Sequence, residues 1–415
     1  MIQFEQFVLS NGLRVIVHED HSTPMAVVNV MYDVGARDEN REKTGFAHLF
    51  EHLMFGGSIH IPSYDEPLQR AGGENNAYTT NDLTNYYCQL PAENIETAFW
   101  LESDRMLSLA FDEKSLEIQR KVVCEEFKEM YLNKPYGDAW QKLRNLAYKV
   151  HPYSWMTIGA ELSHIENASL HDVKQFFHKH YSPVNAILTV TGQVKTAQIK
   201  QLAEEWFGDI APGEKYIRRL PAEPEQKEAR KLTVHAAVPV DAFYKTWHIS
   251  SRTDRRYYAM DLLTEVLSGG ASSRLFQSLA KDKKLFANIN CYHFGSIDAG
   301  LLTIEGKLVK GVKMEDAEAA VEDELRKIRN SLIEPKELQK VKNKTESIIT
   351  FEDMSLTNRA GSLSFYALLG NTAMINEELE RYQRVTAEEL QEEAKTIFNQ
   401  HNSSTLYYYG NPSNT

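Results

Sequence analysis

An α+β protein built as two related halves is what this sequence predicts, and three observations carry the prediction. Strand-like apolar runs and helix-periodic blocks recur along 415 residues, a length that suits two domains with full cores. A charged, apolar-poor stretch punctuated by Pro212-Gly213, Pro221 and Pro224 interrupts the pattern and reads as a linker. Beyond it the pattern resumes in degenerate form. The expected division is 1–212 for the first half, 213–227 for the linker and 228–415 for the second half.

The elements of the first half follow in order. Phe4 to Val17 predicts two short strands around an Asn11-Gly12 turn. Met25–Val34 is a near-continuous apolar run rich in β-branched residues, as a central strand requires. Next comes Gly45-Phe-Ala-His48-Leu-Phe-Glu51-His52-Leu-Met-Phe-Gly56-Gly57, a short helix expected to start at an N-cap on Thr44 and stop at the glycine pair. His48 and His52 stand one turn apart on one face with Glu51 beside them, and Phe46, Leu49, Phe50, Leu53, Met54 and Phe55 cover nearly every other direction. Two imidazoles and a carboxylate in a buried helix are costly unless they pair or bind metal. Imidazoles at i and i+4 suit two positions of a tetrahedral zinc, and a neighbouring carboxylate suits the proton transfers of hydrolysis. Two core histidines bonded to backbone are the alternative at this point.

Gly72–Thr80 leads into Leu83–Leu90, two strands joined by a polar turn. In the helical block Glu113–Leu132, Leu116, Val122, Val123, Phe127 and Met130 are expected to form one apolar face. Glu126 falls inside that face, whereas Glu117 and Glu125 point to the polar side and Glu129 sits at the rim. A carboxylate there needs a partner, either a metal ion or an arginine. Asp172–His180 predicts a helix, and the run from Tyr181 to Gly192 a strand.

The order H-x-x-E-H is that of the inverted zinc peptidases. The stretch from Leu9-Ser-Asn-Gly-Leu-Arg-Val through Val34-Gly-Ala-Arg-Asp-Glu to His48–Ser58 resembles the pitrilysin-type zinc metallopeptidases, in particular the bacterial relatives of the mitochondrial processing peptidase. The resemblance implies two homologous halves, each a mainly antiparallel β-sheet covered by α-helices, with zinc held only in the first. It implies Glu51 as the catalytic base and His48, His52 and Glu126 as the Zn2+ ligands. Glu126 follows from the match of Gln119-Arg120-Lys121-Val122-Val123-Cys124-Glu125-Glu126 to the family pattern E-R-x-V-x-x-x-E. Gln119 departs from that pattern; it can hydrogen-bond near the site but carries no charge. Asn76, Ala77 and Thr79 match a strand that pairs with the backbone of an extended substrate.

In the second half, Tyr257–Gly270 can be laid on the zinc helix by its terminal glycines. Asp261, Thr264 and Glu265 then replace His48, Glu51 and His52, so no metal site is expected there. The family's second half also supplies an Arg and a Tyr to the active site, after a segment that Ser273–Leu279 matches. Here those two positions are Ala280 and Ala287. The resemblance therefore suggests the zinc subunit of a heterodimer whose related partner brings the Arg and Tyr, with a homodimer as the other arrangement. The expected function is hydrolysis of unfolded peptides or short protein segments. A non-catalytic assembly or peptide-binding protein on the same fold is the alternative.

Bulk composition bounds the rest. A net charge of −12 leaves no basic excess for phosphates, so neither a general nucleic-acid binder nor an anionic-membrane binder is expected. Cys88, Cys124 and Cys291 are scattered and odd in number, which favours a reducing compartment over a disulfide framework. No secretory signal and no long apolar run is evident, so the expected location is the cytoplasm.

Overall fold

The computed structural model describes residues 1–410 and contains two sheets with many helices, a mixed α+β fold. The first sheet has six strands: β1 (Glu5–Val8), β2 (Arg14–Glu19), β3 (Met25–Tyr32), β4 (Glu74–Thr79), β5 (Thr84–Pro91) and β6 (Ala186–Gly192). Their spatial order is β1-β2-β6-β3-β5-β4. All neighbours pair antiparallel except β2 and β6, which run parallel.

The apolar run of β3 is explained by what covers it. From Ala26 to Tyr32 every residue is buried, because the helix Ile95–Leu107 packs on one face of the sheet and the helix Leu356–Leu368 on the other. A strand buried on both faces cannot alternate apolar and polar residues. Its one polar residue, Asn29, exchanges hydrogen bonds with Asn85 and donates to Ser364 Oγ, so its burial leaves no amide unmet.

The second sheet holds β7 (Arg230–Ala236), β8 (Ala242–His248), β9 (Phe286–His293), β10 (Leu301–Leu308) and β11 (Ser403–Gly410), in the order β7-β11-β8-β10-β9. Only β7 and β11 run parallel. This is the order and direction of β2-β6-β3-β5-β4, so the second half repeats the topology of the first. The helix Tyr257–Ser268, between β8 and β9, corresponds to the helix Phe46–Leu53 between β3 and β4.

The two compact units are not continuous in sequence. Among the described residues the first comprises 1–128, 155–220 and 350–377, and the second 129–154, 221–349 and 378–410. The helix Leu356–Leu368 thus covers the first sheet, and the helix Ala139–Ala147 covers β8 and β11 of the second. Each is amphipathic and needs a sheet face to bury its apolar side.

The stretch 213–227 has no secondary structure, but it is fastened at both ends. In the first unit the Arg218 guanidinium binds Asp38 Oδ1 at 2.7 Å and Asp33 Oδ1 at 2.8 Å. In the second unit Glu223 accepts the backbone N–H groups of Lys149, Val150 and His151.

Candidate metal centre

The helix Phe46–Leu53 is short and buried, and its start is built from a distance. Gly45, not Thr44, is the N-cap; its φ of 87° is left-handed, and a Cβ there would meet Ile158 O at 2.6 Å. With no side chain to cap the helix, the buried carboxylate of Glu39 does so, accepting Gly45 N at 2.9 Å and Ala47 N at 2.8 Å. Trp155 Nε1 donates to it as well, at 3.1 Å. Burial pushes the Glu39 pKa up to about 8 against the pull of these donors. Thr44 instead accepts Ala160 N and bonds His164 Nδ1.

On this helix His48 and His52 face outward with their rings 4.9 Å apart and nearly perpendicular. The second contributor is the helix Glu113–Phe127. Glu126 Oε2 lies 3.7 Å from His48 Nε2 and 3.5 Å from His52 Nε2. Ligand atoms from all three residues fall within 4.8 Å of one another, and among the described residues no other group of three His, Cys, Asp or Glu side chains does so. Side-chain exposure rises from 13% at His48 through 25% at His52 to 41% at Glu126, so the cluster is walled by protein on one side and open on the other.

The donor set fits a zinc ion. Two ligands roughly 2.1 Å from a tetrahedral ion stand about 3.4 Å apart, close to the separations found here. Burial, with a smaller contribution from His52, pushes the His48 pKa down to about 4, so its ring is neutral near pH 7. In the tautomer with the proton on Nδ1, His48 Nε2 and Glu126 Oε2 are two acceptors facing each other, an arrangement that a cation resolves.

Glu51 occupies the same helix face. Burial raises its pKa, opposed by a hydrogen bond from Thr79 Oγ1 to Glu51 Oε2 of 2.5 Å. Thr79 is the last residue of β4, the edge strand of the first sheet. Asn76 and Ala77 lie on the same strand, so the residues expected to meet substrate share one sheet edge beside the cluster. Gln119 is half-buried on the Glu126 helix, two turns earlier.

One detail differs from the sequence-based expectation. Val122 and Met130 are exposed, at 46% and 45%, so the buried face of the ligand helix is Leu116, Val123, Cys124 and Phe127. Glu126 borders that face and does not interrupt it. Beyond Phe127 the chain widens into a π-turn over Lys128–Leu132, which takes Met130 off the 100° progression. Glu39 and the Thr79 contact were not foreseen. The only trace of Glu39 in the sequence is an acidic residue shortly before a helix whose start lacks a good capping side chain.

Fold and cluster together define a protein of two topologically repeated halves with a candidate metal centre in the first. The chain belongs to peptidase family M16. The model of the insulinase domain matches residues 14–160, and that of the M16 inactive domain matches residues 167–345. The chain is 28% identical to the zinc protease PqqE of Helicobacter pylori over 411 residues, covering 97% of this chain and 92% of that protein. It is 27% identical to the uncharacterized zinc protease YmxG of Bacillus subtilis over 402 residues, 95% of each. Half of the chain matches the mitochondrial-processing peptidase subunit beta of Saccharomyces cerevisiae, 29% identical over 209 residues, 50% of this chain and 45% of that one. The crystal structure of a protease from Helicobacter pylori superposes with a TM-score of 0.92 at 26% identity, covering 98% of this chain and all (100%) of the other. Among the described residues no helix is long and apolar enough to cross a membrane.

Proposed function

We propose that this chain is a zinc metalloendopeptidase acting on unfolded peptides or short protein segments, with His48, His52 and Glu126 holding Zn2+. The observation that carries the reading is the convergence of those three side chains beside Glu51 and the free edge of β4. When bound, the metal would supply Lewis acidity toward a peptide carbonyl and an acidified water. Glu51 takes the proton of the attacking water and returns it to the leaving amine. The edge of β4 at Asn76, Ala77 and Thr79 pairs with extended substrate through main-chain hydrogen bonds, which favours extended peptides over folded ones. Gln119 serves as an uncharged outer partner of the ligand set.

We further propose that the chain is the zinc-bearing subunit of a heterodimer. Ala280 packs against the core of the second unit and Ala287 lies exposed on β9, and neither side chain can donate a hydrogen bond to an oxyanion. A second copy of this chain would bring the same two alanines, so a related subunit with Arg and Tyr is favoured over a homodimer. The three cysteines are free and buried, in keeping with a reducing, cytoplasmic setting.

The test is hydrolysis of a fluorogenic peptide by the zinc-loaded chain, alone and mixed with related subunits. Glu51→Gln should keep zinc and lose hydrolysis, whereas His48→Ala should lose the zinc. Activity of the chain alone would refute the heterodimer. Tightly bound zinc without activity in any mixture would refute the peptidase.

A further inference from the structure

We propose that Thr79 acts through its side chain as the positioning residue of Glu51, held in place by a buried clamp built on the loop Ala36–Glu39. The proposal rests on the peptidase reading, because it assigns a role around Glu51 as general base.

The Thr79–Glu51 hydrogen bond joins two separate elements, and both of its ends are fixed from one loop. On the strand side, β4 and β5 are linked by a tight turn in which Thr80 N donates to Leu83 O, and Thr80 Oγ1 accepts from Asp82 N and Leu83 N. The loop docks on this turn through backbone and side chain. Ala36 N donates to Thr80 O at 3.1 Å, and Arg37 N to Asn81 O at 2.9 Å. The Arg37 guanidinium meets Asp82 Oδ1 at 3.0 Å, with both side chains almost fully buried. Gly35 allows the close approach; a Cβ on it would stand 2.5 Å from Asn81 C and O.

On the helix side, the last residue of the same loop, Glu39, binds the N-terminus of the motif helix through Gly45 N and Ala47 N. Asp38, between them, is tied to Arg218. Arg37 and Glu39 thus index the strand end that carries Thr79 against the helix that carries Glu51. A buried ion pair tolerates little displacement, since separating its partners exposes each to an uncompensated charge. The hydroxyl therefore meets the carboxylate at a set position, as a base that must reach one proton requires.

The side chain of Thr79 points into the site and holds Oε2 of Glu51, and its main-chain N–H faces the same carboxylate. The hydroxyl is the part of this contact that a substitution can remove.

Thr79→Val and Thr79→Ser test the proposal. Valine keeps volume and β-branching and removes only the hydroxyl; serine keeps the hydroxyl. In crystal structures of the zinc-loaded chain, Glu51 should occupy a single rotamer in wild type and T79S, and a shifted or divided one in T79V. Zinc stoichiometry should be the same in all three. In whichever preparation hydrolyses peptide, alone or complemented, T79V should lose roughly 10–100-fold in kcat with KM within about two-fold, and T79S should recover to within about three-fold. Should the valine variant not fold, Thr79→Ala carries the same comparison. An unmoved Glu51 in the hydroxyl-free variant, or serine that fails to recover, overturns the proposal. Inactivity of every wild-type preparation overturns the peptidase reading instead, and the Glu51 rotamer still decides this one.

Discussion

Beneath the motif helix the first unit buries a complete ion pair, and its removal has a magnitude that the structure fixes. Arg105 is 1% exposed and Glu102 is fully buried at 0%. Arg105 Nε donates to Glu102 Oε2 at 2.9 Å and Nη2 to Oε1 at 2.5 Å, while Tyr64 OH donates to Oε1 at 2.5 Å. The guanidinium also stacks on Tyr64 and Tyr86, each centroid 4.5 Å away. Burial alone would lower the Arg105 pKa, and the carboxylate beside it more than reverses this, so the cation persists. Glu102→Gln leaves that cation against the rings of Tyr64, Tyr86 and Phe55 with no counter-charge, which costs about 3–5 kcal/mol. Arg105→Met strands the carboxylate with one hydroxyl donor and should cost a similar amount. The double variant Glu102→Leu/Arg105→Met removes both charges and should lie within about 1 kcal/mol of wild type or above it. For a unit of about 200 residues each single change lowers Tm by roughly 6–20 °C, readable by calorimetry on the metal-loaded chain. Single variants that each cost under about 1 kcal/mol, or a double variant equal to their sum, would refute the reasoning.

Two further outcomes follow from buried charges elsewhere. Burial pushes the Glu393 pKa from its usual 4.5 up to about 7, with Arg256 opposing. Its protonated form therefore favours the folded state below about pH 4.5, and that contribution is lost as pH rises through 7. After discount for partial solvent access it amounts to about 2 kcal/mol. Glu393→Gln should match wild type in denaturant titrations at pH 4.5 and exceed it at pH 8; a difference that does not change with pH contradicts this. Arg218 neutralises Asp38, whose side chain is 0% exposed, so Arg218→Ala should release the strap around Ile217 and Leu220. Thermolysin should cut the variant there much faster than wild type, and equal cutting rates would show that the strap is held otherwise.

How much of this was legible before the coordinates differs from residue to residue, for physical reasons. The local signals succeeded: Asn11-Gly12 turns a hairpin, and Met25–Tyr32 forms a strand buried on both faces. The spacing of His48 and His52 also survives folding, because i,i+4 geometry is a property of any helix. The third member of the cluster, Glu126, came from the resemblance more than from periodicity. The face assigned to its helix was wrong at Val122 and Met130, since periodicity ranks residues on a helix but does not say which neighbours cover them. The cap by Glu39 reaches across several residues, and the packing of the helices Ala139–Ala147 and Leu356–Leu368 depends on sheets far away in sequence. Contacts of that kind leave no period to read.

The second half builds the same topology without the three-residue cluster. At the position of the motif helix stands Tyr257–Ser268, and where alignment puts His48 it carries Asp261. Asp261 accepts His293 Nε2 from β9 at 2.7 Å and the Tyr382 hydroxyl from the helix Glu378–Arg384 at 2.6 Å. Burial alone would raise its pKa, but the bond from His293 and the one from Tyr382 hold it below the ordinary carboxylate value. Glu265, opposite His52, pairs with Lys344 at 2.5 Å. The positions that cluster together in the first half are thus satisfied in the second by donors on neighbouring elements, and the same strand order results. A topology that closes with hydrogen bonds alone does not depend on an ion for its cross-link. In the first half, by contrast, His48, His52 and Glu126 converge on one another at the open side of the unit, an arrangement that a metal ion would cross-link.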